Sequence, residues 1–196
     1  MFTGIIHEKS RVTSAVSSTS GLTLGIAPIK NWKVKKGDSI SINGVCSTVV
    51  KTSPAIIFEY MPETLKKTNV GGIRKGEVVN VEQSLKLQDR LDGHLVLGHV
   101  DTIGTIAGIT PEGNSSIFSI TLPNGDRDLH KLIAPKGSVT IDGISLTVVK
   151  AKKNTFTVHI IPYTIEHTNL HQKRPGDTVN IEFDVVAKYV QSLLKK

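Results

Sequence analysis

The amino-acid sequence predicts a mainly β protein with two tandem, homologous barrels followed by a C-terminal α-helix. Three observations predict this architecture: a long internal repeat, short alternating strands in both copies, and a change of hydrophobic period near the end of the chain. The chain has 196 residues, enough for one large domain or two small ones, and the repeat favours two.

The clearest part of the repeat is one short phrase that occurs twice. NGVCSTVVK at residues 43–51 returns as DGISLTVVK at residues 142–150, and the only cysteine, Cys46, is replaced by Ser145. A repeat that keeps its length and polarity but exchanges a thiol for a hydroxyl indicates two pockets of similar shape and slightly different chemistry.

A longer block of the repeat aligns residues 61–82 with residues 161–182, and nine of these 22 positions are identical without a gap. Two shorter matches flank these blocks: Lys36-Gly37 with Lys136-Gly137, and FTGII at residues 2–6 with VLGHV at residues 96–100. Because the order of the matches is kept, we expect one domain at residues 1–93 and a second at residues 94–184, with a seam near Asp92-Gly93.

Both copies contain short, β-branched, largely alternating segments that predict strands. These segments are SISING, STVVKT, AIIFEY and VVNVEQ in the first copy, and SVTIDG, LTVVKA, FTVHII and TVNIEF in the second. Many short strands at even spacing favour a small closed barrel, because closure removes exposed sheet edges. Pro62 and Pro162 predict the start of one short helix in each copy, and Asn69 and Gly71 predict the end of the first helix.

The last segment has a helical period and is predicted as an α-helix over residues 185–196. Asp184 can cap its start, and Lys195 and Lys196 suit its negative end. Its apolar face contains Val186, Tyr189, Val190, Leu193 and Leu194. A helix this short must pack on something. It could pack on its own barrel or on another subunit, and the lack of a matching helix after the first copy favours the subunit contact.

Composition and charge exclude several classes of protein. The net charge is +7, but it is spread over scattered lysine pairs, and only 5% of residues are aromatic, which favours a solvated basic surface over a nucleic-acid site. No signal peptide and no membrane-spanning segment is expected. One cysteine cannot form an internal disulfide, so the chain resembles an ordinary cytoplasmic protein.

Two pairs of polar residues alternate along predicted strands and should therefore face one side of each strand. They are Cys46 with Thr48, and Ser145 with Thr147. Cys46 can be a small buried hydrophobe, the commoner role of a lone cysteine, or a nucleophile. His99 suits proton transfer, and an ordinary surface histidine is an equally good interpretation. The spacing of the histidines predicts no metal site, and no glycine-rich nucleotide motif is present.

These segments together resemble the riboflavin synthase family, whose members contain two lumazine-binding repeats. The match covers essentially the whole chain, in order, through MFTGII, NGVCSTVV, GHLVLGHVD, KGSVTIDGISLTVV, IPYTIEHTNL and VNIEFD. The resemblance implies two six-stranded antiparallel Greek-key barrels and a homotrimer held partly by the C-terminal helices. It also implies transfer of a four-carbon unit between two molecules of 6,7-dimethyl-8-ribityllumazine, giving riboflavin and 5-amino-6-ribitylaminouracil, without cofactor or metal.

The resemblance also implies site residues, in pockets that pair the first barrel of one subunit with the second barrel of its neighbour. The catalytic candidates are Cys46, His99 and Ser145. The first pocket would contain Gly4, Ile5, Ile6, Cys46, Ser47, Thr48, Met61, Pro62, Glu63 and Thr64. The second would contain Gly98, His99, Val100, Ser145, Leu146, Thr147, Ile160, Ile161, Pro162, Tyr163 and Thr164. Further substrate-binding candidates are Ser39, Lys136 and Asp184.

Two residues depart from the family pattern, and two other functions remain as alternatives. Tyr163 stands where an acidic residue is expected, and Ser47 stands where an apolar residue is expected, although its side chain should point away from Cys46. The first alternative is a non-catalytic lumazine- or flavin-binding protein, and the second is a barrel that binds single-stranded nucleic acid. Docking onto a lumazine synthase assembly is left open.

Overall fold

The computed structural model describes residues 1–124 and 129–194, which form two barrels and a terminal helix. The strands of the first barrel are β1 (Glu8–Ser18), β2 (Gly21–Ile26), β3 (Ser39–Ile42), β4 (Val45–Lys51), β5 (Ile56–Tyr60) and β6 (Val78–Gln83). Those of the second are β7 (Thr102–Glu112), β8 (Ser115–Thr121), β9 (Ser138–Ile141), β10 (Ile144–Lys152), β11 (Thr155–Ile160) and β12 (Thr178–Phe183).

The two barrels have the same strand order. The first closes in the order β1-β2-β5-β4-β3-β6, and the second closes in the equivalent order β7-β8-β11-β10-β9-β12. All of the strand pairs are antiparallel. The prediction of two homologous six-stranded barrels is confirmed, and the predicted seam falls in the connection between β6 and β7.

Four strands of each barrel coincide with segments that the alternating pattern predicts. The pattern does not single out the hairpins β1–β2 and β7–β8. Few positions of β1 and β7 are buried, and serine, threonine and glycine interrupt their alternation. These strands are therefore held mainly by pairing with their neighbours, which a local pattern does not report.

Each barrel has its own hydrophobic core. Ile40, Phe58 and Val81 are buried in the first, and Phe156 and Ile181 are buried in the second. A fully buried side chain of this size contributes about 1.5–3 kcal/mol relative to an exposed one. Each barrel is therefore stabilised by its own core, which holds the strands that form its outer surface.

A short helix follows the fifth strand of each barrel, as predicted: α1 (Pro62–Lys67) and α2 (Pro162–His167), each with proline in its first turn. The prediction that Asn69 and Gly71 end the first helix is wrong, because α1 ends at Lys67. Thr68 adopts an extended backbone, and its side chain accepts a hydrogen bond from the N–H of Val70. It thereby starts a separate 3₁₀ helix at Asn69–Gly72, matched by another at Asn169–Gln172; a third lies at Leu129–Leu132.

The terminal helix, α3 (Val185–Leu194), begins as predicted. The Asp184 carboxylate accepts a hydrogen bond from the N–H of Val186 at 2.9 Å, which caps the helix. Lys195 and Lys196, predicted to stabilise its end, lie outside the described residues. All five residues of the predicted apolar face are exposed, although α3 contacts the 3₁₀ helix at Leu129–Leu132. Within the described ranges, no helix is long and apolar enough to cross a bilayer.

The two barrels meet at a pair of equivalent hairpin turns. Asn43-Gly44 joins β3 to β4, and Asp142-Gly143 joins β9 to β10, each with both central residues at positive φ. This is the turn type that Asn-Gly and Asp-Gly favour. A Cβ added to Gly44 would lie 2.7 Å from the backbone nitrogen of Gly143, so the turns pack directly against each other.

A buried network of side-chain amides surrounds these turns and joins the barrels. Asn80 of β6 donates to the carbonyl of Asp142 at 2.9 Å, and Asn180 of β12 donates to the carbonyl of Asn43 at 2.8 Å. Asn169 donates to the side-chain oxygen of Asn43 at 3.2 Å. Since these donors are buried and paired across the boundary, they fix the barrels relative to each other.

Candidate functional site

The outer face of β4 presents the thiol that the sequence singles out. Cys46 pairs with Ser41 of β3, and Thr48 pairs with Ser39. Val45 and Val49 point into the core, so Cys46 and Thr48 point outward, as predicted. Cys46 is half-buried and Thr48 is exposed, so both can contribute to a surface pocket.

Ser47, predicted to lie in the first pocket, points its side chain away from Cys46, as expected. Ser47 is buried inside the first barrel, where its Oγ lies 2.7 Å from the hydroxyl of Tyr60 and donates to the carbonyl of Val45. Burial raises the pKa of Tyr60, so its hydroxyl stays protonated and available for this pair. Ser47 therefore stabilises the strand from inside, and only its backbone lies near the pocket.

The second barrel repeats this arrangement on β10. Ser145 pairs with Thr140 of β9, and Thr147 pairs with Ser138. Ser145 is half-buried and Thr147 is exposed, whereas Leu146 packs partly against the core. The two outer faces are therefore equivalent in position, with a thiol on one and a hydroxyl on the other.

The two homologous segments that carry Gly4 and Gly98 pair with each other and then contact opposite barrels. Phe2 and Val96 form an antiparallel bridge. Beyond it, Gly4 accepts a hydrogen bond from the N–H of Ser145 at 2.8 Å, and Gly98 accepts one from the N–H of Cys46 at 2.9 Å. Each barrel therefore receives a glycine turn from the segment that precedes the other barrel.

This exchange corrects the predicted grouping of the pocket residues. Gly4 was expected beside Cys46 and Gly98 beside Ser145, and the structure places each beside the other partner. Neighbouring residues follow the same rule: Ile6 packs on the core of the second barrel and Val100 on that of the first. Ile5 and His99 accordingly lie on turns beside the second and first barrels, respectively.

Both glycines are required by close approach. A Cβ on Gly4 would lie 2.7 Å from the Cβ of Ser145, and one on Gly98 would lie 2.7 Å from the Cβ of Cys46. Both glycines also have positive φ, of 77° and 76°. The turns therefore form the floor directly beside the thiol and the hydroxyl.

His94, rather than His99, contacts one of the predicted catalytic groups. Its Nδ1 lies 2.7 Å from Oγ of Ser145, and its Nε2 lies 3.2 Å from Oγ1 of Thr140. Burial lowers the pKa of His94, and the charge of Asp184 opposes that effect. The imidazole is therefore neutral at pH 7 and can accept the Ser145 proton. His94 is the first histidine of the segment GHLVLGHVD, so its place in this family segment could have marked it as a candidate site residue.

His99 is exposed, and no polar contact of its ring occurs within residues 1–124 and 129–194. Its position next to Gly98 places it on the turn beside Cys46. Its proposed role in proton transfer stays a prediction, now attached to the pocket of Cys46.

Lys136 has a structural counterpart that differs from the one the sequence alignment gives it. The N–H of Lys136 donates to Val148, whereas the equivalent bond in the first barrel joins Gly37 to Val49. Lys136 therefore matches Gly37, one residue away from the predicted match to Lys36. Both positions have positive φ, 70° for Lys136 and 91° for Gly37. A non-glycine residue in this region is uncommon, which makes Lys136 a position to test for function.

The starts of α1 and α2 place two further sets of predicted residues at the surface. Exposed residues in these sets are Met61, Pro62, Glu63, Ile161, Pro162 and Tyr163, whereas Thr64 and Thr164 are half-buried. The Tyr163 ring stacks on His167 with the ring centroids 4.0 Å apart. Ile160 is a correction, because its side chain is 1% exposed in the core of the second barrel and cannot reach a ligand. No cluster that could hold a metal ion occurs among the described residues.

Comparison with known proteins gives a consistent result along the chain. Residues 3–84 and 97–184 each match the lumazine binding domain. Riboflavin synthase of Actinobacillus pleuropneumoniae is 42% identical, over 100% of this chain and 91% of the relative. Riboflavin synthases of Mycobacterium tuberculosis (strain ATCC 25618 / H37Rv) and Bacillus subtilis (strain 168) are 40% and 37% identical, over 100% of this chain and 98% and 91% of the relatives.

Solved structures share the fold. LumP complexed with 6,7-dimethyl-8-(1′-D-ribityl) lumazine has a TM-score of 0.83 and 22% identity, covering 93% of this chain and 98% of that one. LumP complexed with riboflavin has a TM-score of 0.85 and 23% identity, covering 93% and 99%.

Proposed function

This chain belongs to the riboflavin synthase family, and we propose that it transfers a four-carbon unit between two molecules of 6,7-dimethyl-8-ribityllumazine. The products are riboflavin and 5-amino-6-ribitylaminouracil. One molecule of the substrate gives carbon and the other receives it, so the reaction needs two similar pockets that treat identical molecules differently.

The observation that supports this function best is the pair of equivalent outer faces. Cys46 and Thr48 occupy one, Ser145 and Thr147 occupy the other, and each is closed by a glycine turn. Holding two flat heterocycles in reacting geometry can contribute about 7–11 kcal/mol through proximity alone. The divergence from thiol to hydroxyl gives the two bound molecules unequal surroundings.

The proposed chemistry requires removal of a proton from the acidic C7 methyl group of one substrate molecule. At the second face, neutral His94 is hydrogen-bonded to Ser145 and can hold that proton. At the first face, Cys46 and the adjoining His99 are the available groups. Lys136 is assigned to an oxygen of the ring or the ribityl chain.

The direct test is incubation of the purified chain with 6,7-dimethyl-8-ribityllumazine, with no cofactor or metal added. We expect riboflavin and 5-amino-6-ribitylaminouracil in equal amounts by chromatography. A stable fluorescent complex without turnover would show that the chain is a lumazine-binding protein and would overturn the proposal.

We also propose a homotrimer in which α3 forms part of the contact and the site pairs the first barrel of one protomer with the second barrel of its neighbour. The apolar face of α3 supports this proposal, because Val190 is 50% and Leu193 is 70% exposed in the single chain. Exposed apolar stripes of this kind commonly mark an interface. The proposal places the protein in the cytoplasm, where the unpaired Cys46 would stay reduced.

Sedimentation tests the assembly. Val190→Asp with Leu193→Asp should shift a trimer towards monomers, as should removal of residues 185–196. Val16→Asp is the matched control, because Val16 is 62% exposed and lies on β1 of the first barrel. Trimers that persist in the α3 variants would refute the helix contact, and the same experiment with lumazine synthase added tests association with that enzyme.

A further inference from the structure

Two buried carboxylates occupy equivalent positions beside the two outer faces, and the mechanism above does not use them. Glu82 lies on β6 next to Ser41, and Glu182 lies on β12 next to Thr140. They are 1% and 2% exposed. A carboxylate this deeply buried needs hydrogen-bond donors, and both residues find theirs in the glycine turns.

Glu82 holds the turn at Gly4. Its Oε1 accepts hydrogen bonds from the N–H of Thr3 at 2.6 Å and from the hydroxyl of Thr3 at 2.7 Å. Its Oε2 accepts one from the N–H of Gly4 at 3.0 Å. Both carboxylate oxygens are therefore engaged by one short piece of backbone.

Glu182 holds the turn at Gly98 in the same way. Its Oε1 accepts from the N–H of Leu97 at 2.7 Å, and its Oε2 accepts from the N–H of Gly98 at 2.9 Å. Each turn is thus held from one side by a carboxylate and contacts a reactive side chain on the other. Gly4 contacts Ser145, whereas Gly98 contacts Cys46.

We propose that Glu182 is a positioning residue for Cys46, and that Glu82 is a positioning residue for Ser145, each acting from the opposite barrel through a glycine turn. Neither carboxylate needs to touch substrate. A glutamine in either position keeps one acceptor oxygen but turns an amide N–H₂ towards a backbone N–H, so one of the two turn contacts is lost. The role in the reaction rests on the proposed function, whereas the effect on Cys46 does not.

The thiol provides a readout that needs no substrate, because Cys46 is the only cysteine in the chain. The alkylation rate with iodoacetamide is measured across pH for the wild type, Glu182→Gln and Glu82→Gln. Loosening the Gly98 turn uncovers Cys46, so Glu182→Gln should accelerate alkylation at least about fivefold. Glu82→Gln is the matched control, because it loosens the other turn, and should change the rate less than about twofold.

Equal rates in the three proteins would overturn the proposal, as would faster alkylation in Glu82→Gln than in Glu182→Gln. Circular dichroism and the unfolding midpoint establish that each variant is folded. Should Glu182→Gln fail to fold, Glu182→Asp keeps the charge while shortening the side chain, and an alkylation rate no faster than that of the wild type would count against the proposal.

Kinetics with the lumazine extends the test to catalysis. Both glutamine variants should lower kcat about tenfold or more with little change in KM, because a misplaced reactive group affects the transition state more than binding. Glu59→Gln, on an exposed position of β5, should leave both constants unchanged. Absence of riboflavin in the wild type would refute the proposed function and leave the alkylation result to decide the positioning role. Unchanged kcat in both glutamine variants would refute the positioning role for catalysis.

Discussion

Lys136 carries backbone strain at a position that we propose contacts the ligand. It adopts a φ of 70° where the first barrel has Gly37 at 91°. A side chain in this region costs roughly 1 kcal/mol relative to glycine. Retention of lysine at such a position is consistent with a charge needed in the pocket.

Replacement of Lys136 by glycine should therefore separate stability from function. We expect Lys136→Gly to raise the free energy of unfolding by up to about 1 kcal/mol, because the strain is relieved. The same change should weaken lumazine binding, measured by fluorescence titration. A variant that is less stable and binds normally would contradict both parts of this prediction.

His94 carries a prediction about turnover and pH. His94→Gln should lower kcat about 100-fold, the usual scale for loss of a positioned acid or base. Burial lowers the pKa of His94 below its ordinary 6.5, so the imidazole stays neutral as the medium is acidified to pH 6.5. The rate should therefore fall only at a pH below 6.5. The pH profile of kcat measures this effect, and His99→Gln is the comparison. A larger loss in His99→Gln would assign the main base to the first face.

Glu82 and Glu182 carry a prediction about stability and pH. Burial raises the pKa of both carboxyls above 4.5, although backbone donors partly offset that effect, as do the nearby charges of His7 and Lys188. Between 4.5 and the raised pKa, the folded state binds more protons than the unfolded state, so stability falls as pH rises through that window. Urea unfolding at a series of pH values should show this slope. Persistence of the full slope in the Glu82→Gln, Glu182→Gln double variant would contradict the assignment.

The residues allowed in each hairpin turn depend on contact with the other turn as well as on the backbone conformation of the turn itself. Gly143 has a φ of 83°, and a Cβ added there would lie 2.8 Å from the backbone nitrogen of Gly44. Gly37 has a similar φ of 91° but no atom within 4 Å of an added Cβ. Comparison of Gly37 with Gly143 therefore distinguishes the cost of backbone strain alone from the added cost of a steric collision between the barrels.

Alanine substitution should give different losses at these two glycines. Gly37→Ala should lower the free energy of unfolding by about 1 kcal/mol, from backbone strain alone. Gly143→Ala should lower it by about 3 kcal/mol, because the collision with the other turn adds to the strain. Denaturant unfolding measures both, and equal losses would mean that the contact between the turns contributes little.

At the scale of the whole molecule, the two equivalent hairpin turns at which the barrels meet differ in charge: Asn43 is neutral, whereas Asp142 is acidic. Asp142 has no exposed side-chain surface and lies 3.3 Å from the ammonium of Lys173, whose side chain is 18% exposed. The equivalent residues in the first barrel are Asn43 and Ile73, a neutral pair. The first barrel therefore has no charge at either of these two aligned positions.

A double-mutant cycle should show that replacement of Lys173 alone destabilises the protein, whereas replacement of both Lys173 and Asp142 has little effect on stability. Lys173→Ile should destabilise the protein by about 3 kcal/mol, since the buried Asp142 loses its counter-ion. Addition of Asp142→Asn should restore stability to within about 1 kcal/mol of the wild type, because the double variant reproduces the chemistry of the first barrel. Additive losses in denaturant unfolding would contradict the coupling.

The sequence by itself determined the duplication, the barrel class, four strands of each barrel and the terminal helix. These features are local: alternation fixes which side of a strand faces inward, so the outward directions of Cys46 and Ser145 could be predicted. Asn43-Gly44 and Pro62 specify a turn and a helix start through their own backbone preferences.

Only the tertiary structure decided which barrel each glycine turn contacts, that His94 rather than His99 meets Ser145, and that Lys136 corresponds to Gly37. The turns at Gly4 and Gly98 come from homologous segments and fit homologous faces. The residue pattern is therefore the same whether a turn contacts its own barrel or the other one. Long-range pairing and the connection between β6 and β7 make that choice, and no local pattern of residues encodes it.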